Sequence, residues 1–72
     1  MEPVIEEREA VEAAQRELDQ REIPYADREA QVRLEDSDYV VVFPPPPDTR
    51  AGDFTLRISS ADGSILDVRI ER

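Results

Sequence analysis

The chain has 72 residues, with 18 Asp or Glu against nine Arg and a formal net charge of −9. It contains no His, Cys, Lys, Trp or Asn, which excludes disulfides, thiolate metal sites and catalysis by an imidazole or an amine. A chain this short makes one domain with a marginal core, and its negative charge repels phosphate backbones and anionic lipid.

The acidity is uneven: residues 1–38 hold thirteen acids and five arginines, residues 39–72 five acids and four arginines. The opening Met1-Glu2-Pro3-Val4-Ile5-Glu6-Glu7 lacks the basic region and long apolar run of a secretory signal, so the cytoplasm is the expected location. Pro3 suits the first turn of a helix, where its missing N–H is no loss. A helical pattern runs from Val4 to about Glu22 and stops before Pro24, which disfavours helix at Ile23. At 100° per residue Val4, Val11, Ala14 and Leu18 share one stripe, with Ala10 at its margin. Alanine in mid-stripe lets the helix lie close on a sheet. Glu12→Arg16 and Glu17→Arg21 are i,i+4 pairs in the favourable orientation.

Glu6, Glu9, Glu12, Glu17 and Asp19 point away from that stripe. They form an acidic face able to steer a basic protein partner, although such charges also serve simply to keep a small domain in solution.

Ile23-Pro24-Tyr25-Ala26-Asp27 reads as a connector, with Ile23 and Tyr25 tucked against the core. Ala30, Val32 and Leu34 then alternate with Gln31, Arg33 and Glu35, the pattern of a strand with one buried face. Glu35-Asp36-Ser37-Asp38 is a polar turn. Tyr39-Val40-Val41-Val42-Phe43 is apolar throughout and offers two apolar faces. On one reading its second face is covered by the proline loop or the chain ends. On the other it meets a second chain, with Tyr39, Val41 and Phe43 carrying self-association into a homodimer.

Pro44-Pro45-Pro46-Pro47 fixes four residues near polyproline II geometry without backbone donors. It is either a stiff stop that blocks edge-to-edge sheet growth, or a rigid contact loop in which Pro45, Pro46, Asp48 and Arg50 touch a partner. Phe54, Leu56 and Ile58 alternate with Thr55, Arg57 and Ser59 in the next strand. Ser60-Ala61-Asp62-Gly63-Ser64 is a hairpin loop with Gly63 free to take positive φ. Leu66, Val68 and Ile70 alternate with Asp67, Arg69 and Glu71 in the last strand. The order predicts one α+β domain over residues 1–72, an N-terminal helix packed on a four-stranded antiparallel meander.

Candidate chemistry is sparse. Nothing in the sequence can activate Thr49, Thr55, Ser59, Ser60 or Ser64 as a nucleophile. The carboxylate pairs Glu6/Glu7 and Asp36/Asp38 fall on a helix surface and in a turn. Neither Asp36-Ser37-Asp38 nor Asp62-Gly63-Ser64 continues into a calcium loop, and Gly52 and Gly63 alone make no phosphate cradle. A non-enzyme without a cofactor is expected.

The alanine-spaced helix followed by DYVVVFPPPPDTRAGDFTLRISSADGSILDVRIER resembles small bacterial cystatin-like domains of the PepSY and nuclear-transport-factor-like immunity types. The matching positions are Tyr39 to Phe43, Ala51-Gly52-Asp53, and Asp62-Gly63 ahead of Ile65-Leu66. The resemblance implies a non-catalytic module that binds or inhibits a protein, such as an immunity protein that neutralises a bacterial enzyme or toxin. Two other roles fit the same residues: a phage-encoded nucleic-acid mimic that blocks a nucleic-acid-binding complex, and a structural homodimeric accessory domain.

Overall fold

A computed structural model of the protein describes residues 4–48, 50 and 52–71. Pro3, expected in the first helical turn, lies outside these residues, as do Thr49 and the Ala51 of the loop step. Helix α1 (Glu7–Gln20) is followed by β1 (Gln31–Glu35), β2 (Asp38–Phe43), β3 (Phe54–Ser59) and β4 (Ile65–Ile70). The strands form one antiparallel sheet in the order β1-β2-β3-β4, and α1 lies across one face in contact with all four. The architecture is the α+β arrangement that the pattern predicts.

The helix starts later than its sequence pattern. Val4 and Ile5 both donate their N–H groups to Ser60 O, at 2.8 and 3.0 Å, and the Tyr39 hydroxyl donates to Ile5 O at 2.9 Å. These bonds occupy the backbone of the lead-in and hold it outside the helix. Glu6 is an extended N-cap with no side-chain capping bond. Val4 therefore leaves the expected stripe and is 76% exposed, while Ile5 packs against the core. The buried helical residues are Ala10, Ala13, Ala14 and Leu18. Three alanines bring the helix backbone close to the sheet, and Leu18 is its one large, fully buried anchor among the described residues.

At the far end Glu22 N–H bonds to Asp19 O and Ile23 N–H to Leu18 O, at 3.0 and 2.9 Å. Glu22 adopts φ 57°. This is a Schellman closure with glutamate where glycine is usual, and Pro24 prevents any continuation.

Three cross-strand rows face the helix: Val32–Val41–Leu56–Val68, Leu34–Tyr39–Ile58–Ile65, and Phe43–Phe54–Ile70. Val41, Phe43, Leu56 and Ile58 are fully buried there with Leu18. In β4 the simple alternation fails. Ile58 pairs with Ile65 and Arg57 with Asp67, so three residues oppose two. This bulge gives Ile65 the inward place expected for Leu66, and Leu66 is left 52% exposed.

The β1–β2 hairpin turns through Asp36 and Ser37, with φ 49° and 69°. Two consecutive positive φ values define the mirror-image turn that suits strand twist and prefers glycine at its second position. Ser37→Gly relieves the left-handed strain while keeping the Ser37 carbonyl, which accepts from the Ser60 hydroxyl. It is expected to raise stability by about 0.5–1 kcal/mol, read as a higher urea midpoint. An unchanged or lower midpoint would count against this description of the turn.

Candidate functional site

The helix presents the acidic surface, though not uniformly. Glu6, Glu9 and Glu12 are exposed, and Glu7 joins them. Arg8 stands among them, 3.8 Å from Glu6. The lower part of the expected face is differently engaged. Glu17 is half-buried and its carboxylate accepts from Arg21 Nε at 2.7 Å, whereas Glu12 and Arg16 form no ion pair among the described residues. Asp19 is exposed but accepts from the Tyr25 hydroxyl at 3.2 Å. Desolvation, and then the Asp19 charge and hydrogen bond, push the Tyr25 phenol above its ordinary pKa. The negative field is thus concentrated over the first two turns, where the positive end of the helix dipole also favours carboxylates.

The proline loop is braced by a residue that the sequence reading passed over. Arg28 Nη1 donates to Phe43 O at 3.1 Å and to Gly52 O at 2.9 Å, tying together the two feet of the loop. Its guanidinium lies 3.9 Å from the centroid of the Phe54 ring. Gly52 is pinned from the other side: a Cβ there would come within 2.5 Å of Glu71 Cβ and 2.9 Å of the Glu71 backbone. Pro45 and Pro46 are half-buried, while Asp48 and Arg50 are exposed. Of the four loop residues named as contacts, the two charged ones offer the freer surface. No sequence pattern marks Arg28, because it sits in an aperiodic connector.

The sheet face opposite the helix reassigns the self-association residues. Tyr39, Val41 and Phe43, expected to meet a second chain, turn toward the helix and belong to the core. The alternate residues Val40 and Val42 occupy the outer face. Val40 is nonetheless 5% exposed, because Arg33 and Arg57 flank it across the strands and their aliphatic stems shield it. Arg57 is held by Asp38 Oδ2 at 2.9 Å, a bond that raises its pKa further. Arg33 pairs with Glu35, and Arg69 with Asp67 at 3.7 Å. Among the described residues, Val40 on the second apolar face of β2 is flanked by arginines that are themselves ion-paired, and Val42 by Gln31 and Thr55.

The candidate chemical groups are likewise structural. Ser60 is buried and donates to Ser37 O. Asp62 accepts from the Ser64 hydroxyl and backbone N–H, and these bonds hold its carboxyl below the ordinary aspartate value. Among the described residues no cluster of carboxylates could hold a metal ion, and no helix is long and apolar enough to cross a membrane.

A cleft of about 380 Å³ opens at the end of the molecule where α1 closes and β4 ends, lined by Ile23, Pro24, Arg28, Phe54 and Ile70, with Arg21, Glu22 and Glu71 around it. No family model, curated protein or solved structure matches the chain.

Proposed function

We propose that this chain is a non-catalytic binding module that engages a basic protein through the first two turns of α1, as an inhibitor or immunity-type protein does. The observation that carries the reading is the exposure of Glu6, Glu7, Glu9 and Glu12 on one short stretch, with Arg8 as the counter-charge between them. Such a patch accelerates encounter with a cationic surface and selects against anionic ones. The helix-across-meander outline agrees with the cystatin-like resemblance, which implies the same kind of role. The cytoplasm is the proposed location.

The test compares capture from bacterial lysate by the wild-type chain and by Glu6→Gln/Glu9→Gln/Glu12→Gln, with each recovered protein then purified and titrated calorimetrically. The expected result is one stoichiometric basic partner whose affinity falls at least about tenfold in the triple variant and falls steeply with salt. A partner held equally by both chains and indifferent to salt would overturn the assignment. So would turnover of a substrate by the purified protein.

A further inference from the structure

Among the described residues, five arginines have a carboxylate partner: Arg8, Arg21, Arg33, Arg57 and Arg69. Arg16 and Arg50 are exposed. Arg28 differs from both groups. It is half-buried, yet no carboxylate of the described residues lies within ion-pair distance of it, in a protein with two acids for every arginine. Nη1 is occupied by the Phe43 and Gly52 carbonyls, and the ring of Phe54 supports the guanidinium plane. Its Nε–H and both Nη2 hydrogens have no partner among the described residues. A held, partly desolvated guanidinium with donors to spare is preorganised for a planar oxyanion.

The surroundings narrow the ligand. Ile23, Phe54 and Ile70 give the cleft apolar walls, and its volume of about 380 Å³ is at the small end of ligand-binding sites. Glu22 and Glu71 stand at the same cleft and repel multiply charged anions, so a single carboxylate on an apolar body fits better than a phosphate. The cleft also adjoins the end of β4, an edge strand of the sheet, whose outward backbone groups are available to an extended peptide. From these observations we infer that the Arg28 cleft binds the free C-terminal carboxylate of a partner polypeptide ending in an aliphatic residue. This site lies apart from the acidic turns of α1 and stands or falls independently of them.

The test is a titration of the isotopically labelled protein with acetyl-Ala-Leu, with its C-terminal carboxamide, and with hexanoate, followed by amide chemical shifts. The acid is expected to give saturable shifts at Phe54, Ile70 and Glu71, with the carboxamide at least about fivefold weaker and hexanoate weaker than the peptide. Glu22→Gln, which removes an exposed like charge without touching the core, is expected to tighten binding about twofold. Arg28→Gln is expected to abolish it, with circular dichroism reporting whether the fold survives. Equal shifts from acid and carboxamide, hexanoate binding as tightly as the peptide, weaker binding by Glu22→Gln, or no saturable shift with the acid would each overturn the inference.

Discussion

Leu18→Ala is expected to lower the stability of the domain by about 3 kcal/mol, seen as a reduced urea midpoint at unchanged slope. The magnitude follows from how little else fastens the helix. Ala10, Ala13 and Ala14 are buried but small, and Val11 is half-buried. Leu18 has no exposed surface and packs into the cluster built on Val41, Leu56 and Ile58. Truncating it removes the main apolar link between helix and sheet and leaves a cavity that the closely seated alanine backbone cannot collapse to fill. In a domain of this size the loss is comparable to the whole margin of stability. A cost below about 1 kcal/mol would mean that the helix is fastened elsewhere.

The second large effect lies at the feet of the proline loop. Arg28→Met keeps an unbranched apolar stem beside Phe54 but deletes both bonds to the Phe43 and Gly52 carbonyls. Charge-assisted bonds to part-buried carbonyls are the kind whose loss is felt. The variant is expected to be about 2 kcal/mol less stable, allowing for water reaching the released carbonyls. Amide exchange at Gly52 and Phe54 should quicken more than exchange in β1, since the feet of the loop open before the sheet does. If stability and exchange are both unchanged, the loop is braced by its prolines and Arg28 is incidental.

Much of this architecture is legible in the chain because period-2 and helical patterns report directly on which faces are buried. Phe54, Leu56 and Ile58 alternate and are all buried, and Gly63 takes the positive φ expected of it. The misreadings have specific physical causes. Val4 continues the helical stripe in sequence, but hydrogen bonds to Ser60 draw the lead-in onto the β3–β4 turn, a contact about 56 positions away that no local pattern encodes. Leu66 is displaced by a bulge, which shifts the phase of an otherwise regular alternation. The reading that puts Tyr39, Val41 and Phe43 on a dimer face arises because β2 is apolar at every position. Which of its two faces meets the helix depends on register with β1 and β3.

The candidate surfaces were less legible than the fold. Five outward carboxylates are visible as a helical face, and the i,i+4 spacing already pairs Glu17 with Arg21, yet the engagement of Asp19 by Tyr25 depends on side-chain placement. Arg28 carries no sequence signal at all. Its importance comes from the carbonyls that long-range packing brings to it.

The most direct measurement is an amide shift map of the labelled protein saturated with the captured basic partner. If the outer carboxylates of the helix form the contact, perturbations cluster from Glu6 to Glu12 and spare Val40, Val42, Thr55 and Arg57 on the far side of the sheet. A map centred on those strand residues, with the opening helical turns silent, would show that the protein works through its arginine-covered face instead.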